Sequence, residues 1–349
     1  MRRTVFAVSL ALLLPTAAPA FAHPGHGEQP DSPVVTAPAV YGNGWKALAP
    51  IGSGPRQEHS VAALGGKVYV IGGIYRADGV TTTTNRVEVY DTRHNTWAEV
   101  APLPVAMNHP NVASVGGRIY VLGGLSGGAS WQALGDSFVY EPRSDRWTRL
   151  PSMPSELRRG SAAIGVRGTK IYLAGGMRTL TPGPGGLHDT VATVSSYDVV
   201  TGRWSVLPSL PEARDHVGGA VVGSVFYVLG GRDKGQVNVR DTVYALDLRN
   251  GRWTERAPMP TARGGIATAV IGTKIYTFGG EGNPAPDSHS IFDDTEAYDV
   301  ARNRWQRLAP MAVPRHGTAA VAVGNKIYIP GGGTAAGAQP VDVNDAFRP

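Results

Sequence analysis

Short runs of alternating apolar and polar residues recur through the chain, each closed by two glycines. Lys67-Val-Tyr-Val-Ile runs into Gly72 and Gly73, and Arg118-Ile-Tyr-Val-Leu into Gly123 and Gly124. The form returns four more times, before Gly175 and Gly176, Gly230 and Gly231, Gly279 and Gly280, and Gly331 and Gly332. Runs of this length, rich in β-branched and aromatic residues and stopped by Gly, read as strands. The glycine pairs fall 51, 52, 55, 49 and 52 residues apart. A period near 50 with strands in every unit predicts the blades of a β-propeller. No helix-period apolar pattern follows residue 22, so the expected class is all-β.

Each unit reads as four antiparallel strands, a to d. Strand a is small and alternating, as in His59-Ser-Val-Ala-Ala-Leu64, which suits an inner position at a crowded channel. Strand b is the Tyr-containing run. Strand c ends in an acidic residue, Asp91, Glu141, Asp198, Asp247 or Asp299, always six positions before a Trp: Trp97, Trp147, Trp204, Trp253 or Trp305. Two before each Trp stands Asn95, Asp145, Gly202, Gly251 or Asn303, types that tolerate positive φ and so predict a tight c–d hairpin. The glycine pairs are expected to leave room for the Trp to pack over backbone. Gly72, Gly73, Gly123, Gly124, Gly175, Gly176, Gly230, Gly231, Gly279 and Gly280, with the five Trp, are therefore assigned to structure.

The sequence Trp45-Lys-Ala-Leu-Ala-Pro50 matches a strand d with no strands before it, and the sixth unit ends without one. The two deficits complement each other. The N-terminal strand is expected to complete the last blade and close the ring, which removes exposed sheet edges.

A Gly-Gly pair after an apolar Tyr strand, then Tyr-Asp, then six residues to Trp, resembles the kelch repeat. The resemblance covers about residues 45 to 349 and implies a six-bladed propeller. It says little of function, since kelch propellers serve both as binding modules and as enzymes.

Met1-Arg-Arg and the apolar Val5 to Leu14, followed by Ala20-Phe-Ala22, read as a signal peptide over 1–22. This ten-residue run is too short for a permanent span. The expectation is export to the periplasm or secretion, with a Pro-rich tail over 23–43 and the propeller over 44–349. The tail's His23 and His26, with a free amine, form a weak metal-binding candidate; otherwise no cofactor is expected. The chain has no cysteine, which excludes disulfides, thiolate nucleophiles and Cys-ligated metals. Its formal charge of +6 is spread among the repeats and not run together, so no nucleic-acid partner is expected. A monomer without a membrane anchor is expected, with an unknown protein or carbohydrate ligand.

Up-and-down connectivity puts the b–c and d–a loops on one face. From the second Gly to the acidic residue the b–c segments count 18, 17, 22, 16 and 19 residues, and variable loops on a rigid ring are where function concentrates. The longest, Met177 to Thr190, and Glu281 to Asp294 are the first suspects. An Arg precedes the Gly pair by sixteen in four units, Arg56, Arg214, Arg263 and Arg315, with His59, His216 and His316 close behind. The second unit instead has His109 and the third Arg158 and Arg159. These segments are expected to make a basic channel mouth, where guanidinium groups take a carboxylate or phosphate. A repeated Arg is equally the mark of a repeated structural ion pair with a neighbouring blade. The candidate ligand-binding set is Arg56, His109, Arg158, Arg159, Arg214, His216, Arg263, Glu281, Arg315 and His316, weighted toward blades two and three because sites in a ring need asymmetry.

Three functions compete. The first is an exported binding or scaffold protein. The second is an enzyme: leader, length and blade number are similar to those of the exported N-acetylneuraminate epimerases. Mutarotation needs a proton donor, an acceptor and a cation for the sugar carboxylate, roles open to Glu281, His109, Arg158 and Arg214. Its discriminator is whether a carboxylate and an Arg converge at the channel mouth. The third is a copper oxidase, since galactose oxidase also carries a kelch-type propeller, but its Tyr–Cys radical needs a cysteine that this chain lacks.

Overall fold

A computed structural model describes residues 43–181 and 187–349. The expected signal peptide, the tail with His23 and His26, and residues 182–186 of the third b–c loop lie outside the described residues. Alternating strands fold into six antiparallel blades around an axis. The first is Ser60–Leu64, Lys67–Ile71, Val87–Asp91 and Thr96–Val100, hydrogen-bonded in that order. Trp45–Ala47 lies against Asn344–Phe347 with Trp45 opposite Phe347, so the N-terminal strand completes the sixth blade as expected.

The apolar faces are buried between blades. Tyr69, Ile71 and Val89 of the first blade pack on Ile119, Val121, Phe138 and Tyr140 of the second, and a comparable cluster fills each further junction. The hairpin residues Asn95, Asp145, Gly202, Gly251 and Asn303 all have φ between +48° and +73°, as their types predicted. Three of them also stitch blades together. Asn95 Oδ1 accepts from Tyr90 Oη at 2.6 Å and from the Ala49 amide at 2.9 Å; Asp145 and Asn303 repeat the arrangement.

The glycine pairs are structural, but not for the reason given by sequence. A Cβ on Gly73 would lie 2.6 Å from the Gln57 carbonyl and 2.8 Å from His59 Cβ; one on Gly230 would lie 2.8 Å from the Arg263 carbonyl. The pair therefore makes way for the d–a segments of its own and the next blade. The Trp rings lie elsewhere, over the Tyr of strand c (Tyr90 to Trp97, 5.1 Å between centroids). Trp97, Trp147, Trp253 and Trp305 each donate Nε1–H to a carbonyl of the preceding unit at 2.8–2.9 Å.

On the loop face the ring loses its symmetry. Strand c of the second blade extends to Trp131–Glu141 and pairs with the third blade's Met177–Thr181 through Trp131 opposite Leu180. Blades two and three thus share a raised wall beside the axis. Among the described residues no helix is long and apolar enough to cross a membrane.

Candidate functional site

The repeated arginines lie inside the blades, not on the rim. Arg56, Arg214, Arg263 and Arg315 are at most 1% exposed, and so is Arg159, which also stands sixteen before its Gly pair and makes a fifth member of the series. Arg56 pairs with Glu88, Arg263 with Glu296 at 2.7 Å and Arg315 with Asp345 at 2.7 Å, each carboxylate on strand c of the Arg's own blade. Arg214 donates to the Gly230 and Thr242 carbonyls, pairs with Glu212 and stacks on Tyr244. Arg159 has no carboxylate partner: it donates to the carbonyls of Gly175, Leu157 and Leu173 and to Ser195 Oγ, and burial pushes its guanidinium down to about 10. The ion pairs are structural and within one blade. Arg158 is exposed and lies beside Gly135.

Two positions after this Arg column stands a residue of positive φ in every blade: Glu58, His109, Ser161, His216, Gly265 and Gly317, between +47° and +63°. The twist turns each amide toward the blade before it. Glu58 donates N–H to the Gly317 carbonyl at 2.6 Å, His109 to Glu58 at 2.7 Å, and Ser161 to His109 at 3.2 Å. Gly265 donates to His216 at 2.8 Å and Gly317 to Gly265 at 3.2 Å. His216 closes the circuit through Ser161 Oγ at 3.1 Å. The result is a continuous collar around the axis. Gly317 leaves room for the Glu58 carboxylate, since a Cβ there would lie 2.5 Å from Glu58 Oε1 and the carboxylate would have to move.

The collar's side chains meet those of a second column, the residue after each Gly pair. That column is apolar in blades one to three (Ile74, Leu125, Met177) and polar in blades four and five (Arg232, Glu281). Arg232 pairs with Glu281 Oε1, lies 3.4 Å from Asp215 Oδ1, and donates to His216 Nε2 at 2.9 Å. His216 Nδ1 is 2.6 Å from Asp215 Oδ1 and its Nε2 is 2.9 Å from His109 Nε2. Glu58 Oε2 is 2.8 Å from His109 Nε2. His188, from the third b–c loop, contacts Asp215 at 3.1 and 3.2 Å; His316 Nδ1 lies 3.5 Å from Glu281 Oε1. All of these groups are buried.

Burial raises the Glu281 carboxyl, but Arg232 and His316 outweigh it and hold the group at about 2. Burial likewise raises Glu58 and Asp215, yet the histidines around Glu58, and His188, His216 and Arg232 around Asp215, hold both well below the carboxylate range. His216 is pushed down to about 4 by burial and Arg232. His316 is opposed by burial but raised on balance by Glu281 and Glu58. His59 sits below the collar, its Nε2 2.9 Å from the Pro330 carbonyl, and burial with Arg56 pushes it down to about 3.

A cavity of about 310 Å³ opens above this floor on the loop face. Ile74, Ala129, Trp131 and Leu180 contribute apolar wall, and Gln57, His188, His216, Arg232, Glu281 and His316 the polar base. A second cavity of about 250 Å³ runs along the strand a residues below, and the two meet at Glu58 and His216. Of the sequence candidates, His109, His216, Glu281 and His316 converge here. Arg56, Arg159, Arg214, Arg263 and Arg315 do not reach the cavity. The basic mouth is corrected: three carboxylates face one guanidinium. Blades two and three supply wall, while the charges come from all sides and most densely from blades four and five. Glu58, Asp215, Arg232 and His188 escaped the sequence reading. Aligning the six units column by column marks the first three, as departures from their columns; His188 sits in a loop of unequal length and has no column.

The family described as the KLHDC2/KLHL20/DRC7 Kelch-repeats domain matches residues 40–176 and 184–347. The Kelch-like protein terF of Aspergillus terreus is 45% identical over 298 residues, which cover 84% of this chain and 65% of that protein. Kelch-like protein 25 of Xenopus tropicalis is 30% identical over 287 residues, 80% of this chain and 37% of the relative. The chain thus spans less than two thirds of the length of these curated relatives. Among solved structures, that of YjhT superposes with a TM-score of 0.69 at 17% identity, covering 85% of this chain and 95% of that one, a likeness of fold alone.

Proposed function

We propose a function on one premise: this chain belongs to the kelch-repeat family, whose propellers support a binding or scaffold role in general. The finer reading is that it binds a small, neutral, hydroxylated molecule of carbohydrate type in the loop-face cavity. The observation that carries it is the cavity itself, concave, with an apolar wall that includes Trp131 and a base of buried donors and acceptors. Small-molecule sites have this composition, apolar enclosure with a few fixed polar groups that orient the ligand. Neutrality follows from charge. Arg232 is committed to Glu281 and Asp215, so an anion entering the cavity meets carboxylates with no other Lys or Arg among the described lining residues to receive it.

A second reading, mutarotation of a sugar acid, is supported by one feature: a carboxylate and an Arg do meet at the mouth, Glu281 with Arg232. Glu281, ionised, and His316, raised, would be the acceptor and donor. A thermal-shift panel of neutral sugars and polyols, sialic acids and uronic acids separates the readings, since a ligand of the folded state raises the midpoint by mass action. A shift with neutral compounds supports the first. A shift confined to acidic sugars moves the second ahead, to be followed by anomer exchange in NMR. No shift with any of them overturns both and leaves a macromolecular partner. Export through the leader of residues 1–22 is part of the proposal; N-terminal sequencing of protein recovered outside the cytoplasm should begin at His23.

A further inference from the structure

Two imidazoles in the collar are held by the same nitrogen. His109 Nδ1 lies 2.7 Å from Asn108 Oδ1, and His216 Nδ1 lies 2.6 Å from Asp215 Oδ1. Asn108 Nδ2 donates to Thr83 Oγ1 at 2.7 Å, which fixes its oxygen toward the ring. An amide oxygen and a carboxylate can only accept, so each Nδ1 carries hydrogen and each Nε2 presents a lone pair. Those lone pairs face each other at 2.9 Å, with Glu58 Oε2 at 2.8 Å from His109 Nε2. Arg232 Nη2 donates to His216 Nε2, but His109 Nε2 still points its lone pair at both Glu58 Oε2 and His216 Nε2, and electron-pair donors this close repel unless a cation lies among them. One proton on His109 Nε2 serves one of these two contacts at a time, whereas a metal ion serves both.

We propose that Glu58, His109 and His216 bind one divalent first-row transition-metal ion. Two imidazoles and a carboxylate are a donor set for zinc, iron and their neighbours, and leave positions open on the metal. The three donor atoms lie within 4.8 Å of one another. Bonds of about 2.1 Å place neighbouring donors about 3.0 Å apart around six-coordinate metal and about 3.4 Å around four-coordinate metal. His109 Nε2 meets this spacing with both partners after a shift of a few tenths of an ångström, while Glu58 and His216, within 4.8 Å of each other, close further or take opposite positions on a six-coordinate metal. Asn108 and Asp215 act as the outer partners that orient metal-bound histidines and raise their basicity.

Two further observations point the same way. His188 lines the cavity above with its Nε2 buried and without a hydrogen-bond partner. Among the described residues the cluster sets Glu58, Asp215 and Glu281 against one guanidinium, that of Arg232, so where the imidazoles are neutral a dication removes the excess charge. Arg232 Nη2, which now donates to His216 Nε2, gives up that bond and keeps Glu281 and Asp215. The proposal does not depend on the small-molecule reading, because retention of metal without any organic ligand tests it.

The full chain, carrying His23→Ala and His26→Ala to silence the tail, is stripped with chelator, loaded with Co²⁺ and desalted. About one cobalt per chain should remain, with visible d–d absorption. Glu58→Gln and His109→Ala should abolish it, and Asp215→Asn should weaken it about 10–100-fold. No retention by the parent, or retention unchanged by Glu58→Gln and His109→Ala, overturns the site. Should those variants fail to fold by circular dichroism, X-ray absorption of the cobalt-loaded parent decides: imidazole scattering supports the assignment, and an all-oxygen shell overturns it.

Discussion

Arg263 and Arg232 are both buried guanidiniums paired with carboxylates, yet they belong to different parts of the molecule. Arg263 has counterparts at the same position in four other blades, and each of the five bonds groups of its own blade. Arg232 has none. Where it stands, blades one to three carry Ile, Leu and Met, and it joins groups from three different units: Asp215, His216, Glu281 and, through His216, His109. A charge that recurs with the repeat braces the blade, whereas a charge that breaks the repeat faces the axis.

The largest expected effect comes from the recurring set. Arg263→Met strands Glu296 in the blade interior, and breaking a buried pair from one side costs about 3–5 kcal/mol, read by chemical denaturation. Arg159→Met should cost clearly less, because that guanidinium bonds carbonyls and a hydroxyl and leaves no charge behind. Equal losses would mean that the carboxylate is not what makes the column essential.

Next come the glycines. Gly73→Ala puts a methyl into the Gln57 carbonyl at φ +102° and should cost at least about 2 kcal/mol. Gly65→Ala, at φ +59° with nothing within 4 Å, should cost only about 1 kcal/mol. A similar penalty at both would assign the whole effect to backbone conformation and none to crowding by the d–a segments.

Smallest in stability is Trp131→Ala. The ring is half-buried against His109, 4.8 Å between centroids, and its loss should cost about 1 kcal/mol while erasing the midpoint shift produced by a cavity ligand. An undiminished ligand shift would remove the blade two and three wall from the site.

The architecture was legible because it is periodic. Glycine pairs, hairpin residues and the complementary chain ends each state a local requirement, in φ, in close approach or in edge pairing, and each recurs often enough to be counted. The partner of the glycine pair was misread because two candidates, the Trp and the incoming backbone, both need space there. The cluster was half legible. His109, His216, Glu281 and His316 drew attention as chemistry-bearing types, but Glu58, Asp215 and Arg232 acquire meaning only against partners on other segments: His109 for Glu58, His188 and Arg232 for Asp215, and Glu281 for Arg232. The arginines misled for the opposite reason: a repeated cation signals its abundance, not the direction in which it points.

The collar of six links has a mechanical consequence. It works as a hoop, carrying load along its circumference. A blade pulled outward must stretch the link on either side of it, so strain at one sector is handed on around the ring. Five links run from amide to carbonyl; the sixth passes through the Ser161 hydroxyl, which can rotate. That joint between the third and fourth blades is the buckle of the belt, where the hoop has slack and would part first under tension.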